Sequence, residues 1–141
     1  KPVIGLVGGR KDAGLARRIA ALAGQDGQVR VMAGELTLRE TAELIGKAVL
    51  FIGGDSGLAH MAVALGAPTV VLFGPSDPLK WGVKGRQNAV VCKGLACSPC
   101  FIFGYHKRCH TIACMAGITV DEVVLACSKV IAPAAAAGPS R

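Results

Sequence analysis

Val49-Leu50-Phe51-Ile52-Gly53-Gly54-Asp55-Ser56-Gly57-Leu58-Ala59-His60 is the stretch on which the fold turns. Its first four residues are apolar without a break, as in a strand covered on both faces. Gly53 to Gly57 reads as a turn, and Ser56 stands where it can cap a helix over residues 57–65. Gly66 ends that helix, because glycine accepts the left-handed closing conformation. Thr69-Val70-Val71-Leu72-Phe73 is the next apolar run, and Gly74-Pro75 closes it. Apolar strands separated by a helix imply a parallel sheet with helices on both faces.

The same alternation extends in both directions. Residues 3–7 (Val-Ile-Gly-Leu-Val) form a buried strand that turns at Gly8-Gly9. Leu15, Ile19 and Leu22 recur at helical spacing within residues 13–24, and Gly24 is the stop. Val29 and Val31 mark a second strand in residues 28–33. Thr37-Leu38-Arg39-Glu40 is a capping box, followed by an apolar face of Leu38, Ala42, Ile45 and either Ala48 or Leu44. Ala89-Val90-Val91 adds a short fifth strand. Residues 92–117 look irregular and hold five of the six cysteines. A second capping box, Thr119-Val120-Asp121-Glu122, opens a helix that places Val123, Val124, Cys127 and Ile131 inward. The expected organisation is one domain over residues 1–131, with an insertion at 92–117 and a flexible low-complexity tail at 132–141. The chain begins directly in a strand-like run, as an excised domain or a cut precursor would.

Composition excludes several classes. The chain has 141 residues, 52% of them hydrophobic and 18% charged, with mean hydropathy +0.49. That is too apolar for a disordered chain. No run of about 18 residues lacks a charge, Gly or Pro, so no membrane-spanning helix is expected. The net charge is +7. Between Asp77 and Asp121 there is no acidic residue, yet Lys80, Lys84, Arg86, Lys93, Lys107 and Arg108 lie there. Such a stretch either favours anionic partners or is a solvated basic face. Aromatics are 4% of the chain, too few for base stacking along a single strand, and no specific nucleic-acid partner is expected.

In open parallel sheets, ligands lie beyond the carboxyl ends of the strands. Gly8-Gly9, Gly53 to Gly57 and Gly74-Pro75 all fall at that edge. In the middle loop, Gly53 and Gly54 allow close backbone approach. Ser56, Gly57 and Leu58 then offer amides at a helix start, with the positive end of the helix dipole behind them. His60 falls in the first helical turn and can donate to the same anion. Asp55 suits sugar hydroxyls or the orientation of loop amides. On local chemistry alone, Asp55 and Ser56 serve equally as helix caps. Gly54-Asp55-Ser56-Gly57 also matches the string around a serine-protease nucleophile. The context opposes that reading, since the three histidines are His60, His106 and His110, none of them upstream.

Taken together, these strings resemble glycosyltransferase family 9, the ADP-heptose:lipopolysaccharide heptosyltransferases and their relatives. The resemblance is carried by Leu36-Thr37-Leu38-Arg39-Glu40, by Phe51 to Ala62 with its D-[ST]-G-x-x-H pattern, by Leu65-Gly66-Ala67-Pro68-Thr69, and by Leu72-Phe73-Gly74-Pro75-Ser76-Asp77-Pro78. It covers residues 1–131 and the second half of the family. It implies the carboxyl-terminal half of a GT-B glycosyltransferase, a Rossmann-like domain that binds the nucleotide-sugar donor. It further implies that Asp55, Ser56, Gly57, Leu58 and His60 hold the donor diphosphate and its sugar. Asp12 would accept from the ribose hydroxyls, the main chain near Leu36 would meet the adenine edge, and Gly8 and Gly9 would leave room. The expected general base belongs to an amino-terminal domain, so no catalytic base is assigned, and the isolated chain is expected to be inactive. ADP-heptose is the expected donor and an anionic glycolipid or other glycan the acceptor, with transfer by inversion and no Mg²⁺. The expected location is cytoplasmic, peripheral at the inner face of the inner membrane.

Cys97, Cys100, Cys109 and Cys114 give C-x2-C-x8-C-x4-C. Four thiolates suit a structural Zn or Fe ion, with His106 and His110 as alternative ligands. Reduced cysteines without metal, or two disulfides, are the other readings. Cys92 and Cys127 read as packing residues. Trp81 either anchors its loop by burial or flanks a ligand. The competing function is a non-catalytic, metal-stapled interaction module that retains the fold.

Overall fold

The computed structural model describes residues 2–24, 28–102, 105–106, 109 and 111–136. The chain divides into two compact units, Lys1–Leu44 and Ile45–Arg141.

In the first unit, β1 (Ile4–Leu6) pairs in parallel with β2 (Val29–Val31), with Ile4 opposite Val29 and Leu6 opposite Val31. A 3-10 turn at Arg10–Asp12 leads into α1 (Ala13–Leu22), which returns the chain to β2. Gly24, at φ +89, follows the helix end as expected. The pairing continues past the strands, since Met32 N–H donates to Leu6 O at 2.9 Å and Gly34 N–H to Gly8 O at 2.9 Å. The burial differs from the sequence expectation. Val3 and Ile4 are 59% and 54% exposed, and the α1 stripe of Leu15, Ile19 and Leu22 is open to solvent. Three-residue strands in a two-stranded sheet present too little surface to cover an apolar stripe. Ala16 and Ala33 are the unit's buried apolar residues among those described.

Helix α2 (Leu38–Gly46) starts on the expected capping box. Thr37 N–H and Oγ1 both donate to Glu40 Oε2 at 2.7 Å, and Glu40 N–H donates back to Thr37 Oγ1 at 3.2 Å. These bonds hold the Glu40 carboxyl below its usual range. On the helix face, Ile45 is buried and Leu38 is exposed.

In the second unit, β3 (Phe51–Gly54), β4 (Thr69–Phe73) and β5 (Asn88–Cys92) form a parallel sheet in that order. Phe51 aligns with Thr69, and Thr69 with Asn88. Strand β4 has a neighbour on each side, and Thr69, Val70, Val71 and Phe73 are buried accordingly. Strand β3 pairs with β4 alone among the described residues. Its flanking apolar run is therefore only partly covered: Phe51 is buried, while Val49 and Ile52 are exposed. Helix α3 (Gly57–Ala64) connects β3 to β4, and Gly66 at φ +75 closes it as expected.

Helix α6 (Val120–Ala136) covers the sheet and runs past the expected end at residue 131. Thr119 N–H donates to Glu122 Oε2 at 2.7 Å and Glu122 N–H to Thr119 Oγ1 at 3.3 Å, so the second capping box forms too. The inward face agrees with the expectation at Cys127 and departs from it at Val124 and Ile131. Val130, Ala126 and Cys127 pack with Val70, Val91, Leu50, Leu72, Ala89 and Ile118, whereas Val124 and Ile131 face outward.

Two features went unread in the sequence. Helix α4 (Pro78–Trp81) starts on Asp77, whose Oδ1 accepts from Leu79 N–H at 2.8 Å. The signal was there, an Asp cap followed by Pro at the first helical position. The cysteine segment also has structure: β6 (Phe101–Ile102) pairs antiparallel with β7 (Tyr105–His106), and α5 (Ala113–Ala116) precedes α6. Trp81 is 44% exposed rather than buried as an anchor. Among the described residues, no helix is long and apolar enough to cross a membrane.

Candidate functional site

The carboxyl ends of the strands carry the candidate residues in each unit. In the first unit, the chain leaves β1 at Gly8-Gly9 and turns at once into the 3-10 turn. Gly9 N–H donates to Asp12 Oδ2 at 2.8 Å. A Cβ at Gly8 would stand 2.8 Å from that same oxygen, so a larger residue there would displace the Asp12 carboxylate. Gly8, Gly9 and Asp12 are thus brought together. Oδ2 is committed to the loop, which leaves Oδ1 as the oxygen with which Asp12 can meet an outside partner. Leu36 is half-buried in the turn after β2.

In the second unit, β3 ends at Gly54 and α3 starts at Gly57. Ser56 is the residue before the helix, in extended conformation (φ −157, ψ 164), and its side chain makes no capping bond. The sequence expectation of a hydroxyl cap is therefore not met. Ser56 O accepts the first helical bonds, from Ala59 N–H at 3.1 Å and His60 N–H at 3.3 Å, while its hydroxyl engages none of the helix amides. The leading amides of Gly57 and Leu58 have no acceptor within the helix. A Cβ added at Gly57 would meet nothing within 4 Å, so there is room for a side chain at that residue. Asp55 and His60 flank it. His60 Nε2 lies 3.6 Å from Asp55 Oδ1, with the two side chains 49% and 23% exposed. The loop therefore offers peptide N–H groups, a hydroxyl and an imidazole to an anion.

Next along the sheet, the exits of β4 and β5 meet the cysteine segment. Cys100 and Phe101 N–H groups both donate to Pro75 O, at 2.8 and 2.9 Å, and Ser98 Oγ donates to Gly74 O. A Cβ at Gly74 would fall 2.6 Å from Met115 Cγ, so a larger residue there would force the Met115 side chain to move. A hollow of about 160 Å³ remains, lined by Gly74, Asp77, Cys92, Lys93, Ser98 and Cys114. Lys93 Nζ donates to Glu122 Oε1 at 2.8 Å. That bond, with those from Thr119, pulls the Glu122 carboxyl down to about 2.

The cysteines do not converge. Cys97 and Cys109 are exposed, Cys100 is half-buried, Cys114 is buried, and all are free thiols. Among the described residues, no three His, Cys, Asp or Glu side chains stand together to hold a metal ion. Two of the four cysteines are placed by contacts of their own. Cys114 is turned under Gly74, and Cys109 Sγ accepts from Ile112 N–H at 3.3 Å. Backbone hydrogen bonds from Thr111 and Ile112 hold the Cys109 thiol below its usual range. His110 and the His106 side chain, named as alternative ligands, lie outside the described residues.

Comparison with known proteins gives one family. The model of glycosyltransferase family 9 (heptosyltransferase) matches residues 3–109. Lipopolysaccharide heptosyltransferase 1 of Pseudomonas aeruginosa is 37% identical over 65 residues, 46% of this chain and 18% of that protein. Lipopolysaccharide heptosyltransferase 2 of Escherichia coli K12 is 39% identical over 75 residues, 52% of this chain and 22% of that protein. The solved structure of E. coli ADP-heptose lps heptosyltransferase II matches with a TM-score of 0.76 at 26% identity, covering 94% of this chain and 37% of that one. The chain thus spans about a fifth of the length of these curated relatives. The expected α/β fold with parallel sheets and helices agrees with this match.

Proposed function

Because the chain belongs to glycosyltransferase family 9, we propose that it is the donor-binding part of an inverting heptosyltransferase that takes ADP-heptose and acts in lipopolysaccharide synthesis. The observation that carries this reading is the helix start after β3, where the amides of Gly57 and Leu58 have no acceptor within the helix and no side-chain cap from Ser56, with His60 in the first turn. A nucleotide diphosphate carries its charge on oxygens that accept from such donors, and the dipole of α3 favours it.

In the proposed reaction, an acceptor hydroxyl attacks the anomeric carbon of the donor sugar. The new C–O bond forms on the face opposite the phosphate, and the bond from the anomeric carbon to the phosphate oxygen breaks. The electron pair leaves with the nucleoside diphosphate. The acceptor proton goes to a base that we place outside this chain, in an amino-terminal domain. The amides of the β3–α3 loop hold the charge that grows on the departing diphosphate, which is where such donors contribute most to rate. The acceptor is the anionic glycolipid at the inner face of the inner membrane, on the cytoplasmic side, where the basic stretch from Lys80 to Arg108 favours an anionic surface.

Calorimetric titration of the chain with ADP-heptose and with ADP tests the reading. Weak binding is expected, weakened further by Ser56→Ala and abolished by Gly57→Glu, which sets a carboxylate in the open space at the helix start. No heat at millimolar ligand, or undiminished binding by Gly57→Glu, overturns it.

A further inference from the structure

We propose that the α4 turn, with the neighbouring start of β6, is a surface that seats on an anionic lipid bilayer. Leu79 and Trp81 enter the headgroup layer, and Lys80, Lys84 and Arg86 meet the lipid phosphates. The proposal deepens the reading above and rests on it for the source of the lipid; the surface is argued from its own residues. Leu79, Lys80 and Trp81 are consecutive and exposed on a four-residue helix, Leu79 at 90% and Trp81 at 44%. Three exposed residues in a row make the turn project from the surface. One exposed apolar side chain is ordinary, but a cluster is not. Phe101 is also 44% exposed. Its N–H is held to Pro75 O at 2.9 Å, three residues before α4. Pro78 and Leu79 share a hollow with Ser98 and Pro99, which fixes the two segments side by side. Among the described aromatic side chains, Phe51 and Phe73 are buried, and the two exposed ones, Trp81 and Phe101, are those at this corner. Such rings and a leucine beside cations suit the boundary between headgroups and acyl chains. The cations are present: Lys80 Nζ lies 5.3 Å from the centre of the Trp81 ring, and Lys84 and Arg86 are exposed just beyond it. No acidic residue occurs between Asp77 and Asp121, and Asp77 Oδ1 is engaged by Leu79 N–H at 2.8 Å. The turn is also stiff, since Trp81 N–H donates to Asp77 O and Gly82 N–H to Pro78 O, both at 2.9 Å. A preformed projection loses little backbone freedom on docking. A nucleic acid would match the cations and leave Leu79 unused, so a lipid surface fits the whole set.

The test is co-sedimentation of the 141-residue chain with vesicles of equal phosphatidylglycerol and phosphatidylcholine, with the emission of Trp81, the one tryptophan, as a second readout. Partitioning is expected on these vesicles and not on phosphatidylcholine alone, with Trp81 emission shifted to the blue as its ring leaves water. Lys84→Gln together with Arg86→Gln should weaken partitioning about thirtyfold. Leu79→Ser should weaken it about tenfold. At 90% exposure Leu79 contributes little packing, so Leu79→Ser should melt as the unaltered chain does. No partitioning on the anionic vesicles, equal partitioning on the neutral ones, or unmoved Trp81 emission overturns the proposal. So does full partitioning by Leu79→Ser, which would reduce the contact to charge alone. Tighter binding of a short DNA duplex, undiminished by Leu79→Ser, would assign the cations to a nucleic acid and overturn it as well. Titration with ADP keeps the two readings apart. ADP binding without vesicle partitioning overturns the lipid surface alone, and partitioning without ADP binding overturns the donor reading alone.

Discussion

Val130 and Ile131 are adjacent on α6, and the structure assigns them opposite fates. Val130 is 2% exposed and packs against Val70 and Val91, while Ile131 is 40% exposed. Val130→Ala removes two buried methyl groups, worth about 0.8 kcal/mol each in lost transfer energy. The surrounding sheet is regular and closes only partly around the gap, so a cavity term brings the total to about 2–3 kcal/mol. Ile131→Ala deletes a larger side chain, which in a core would cost more. At its observed exposure it should cost about 1 kcal/mol or less. The assay is urea denaturation followed through the fluorescence of Trp81, the one tryptophan. Trp81 lies in the unit that contains α6, so its signal reports the unfolding of that unit. The expected result is a clearly lower midpoint for Val130→Ala at unchanged slope, with Ile131→Ala near the unaltered chain. If Ile131→Ala lowers the midpoint as much or more, the face of α6 is assigned wrongly and the argument fails.

Acid should loosen α6 through Glu122. Its carboxyl is depressed from 4.5 to about 2 in the folded chain, so its contribution is present above pH 4.5 and is lost as pH falls toward 2. Melting curves of Glu122→Gln should therefore vary less over that window than those of the unaltered chain, and equal variation would count against the Lys93 pairing. Thr37→Ala opens the capping box of α2 and should destabilise that helix by about 1 kcal/mol. Faster amide exchange confined to its first turn would show this, and unchanged exchange would refute it. Cys109 is exposed with its thiol lowered by backbone N–H groups, whereas burial raises Cys127. Brief treatment with iodoacetamide near neutral pH should label Cys109 well before Cys127, as peptide mass spectrometry can read; the reverse order would contradict the assigned environments.

How much was legible in the sequence follows from how local each signal is. Strand β4 was read residue for residue, because an unbroken run of apolar residues between Pro68 and Gly74 admits one interpretation. Both Thr-x-x-Glu boxes were read because the bonds that make them lie within four residues. The Asp55 to His60 loop was identifiable because glycines, a cap-type residue and a helix start occur in a fixed order. The same local logic failed where partners are remote. Leu15, Ile19 and Leu22 have the spacing of a buried face, yet nothing in that spacing says whether a surface exists to cover them. Val130 and Ile131 suit the inner face equally well by period, and only the sheet beneath α6 distinguishes them. The spacing of the cysteines likewise does not reveal that the Ser98 hydroxyl and the Cys100 and Phe101 N–H groups bond to Gly74 and Pro75, far away along the chain.

The order of strands and helices, their caps and stops, and the family-bearing loop were determined by the sequence itself, since hydrogen bonds and conformational preferences over a few residues suffice for each. Tertiary structure alone decided which apolar faces are covered and which are left open. Those outcomes depend on contacts between segments distant in sequence, whose geometry arises only when the sheet and its covering helices are assembled.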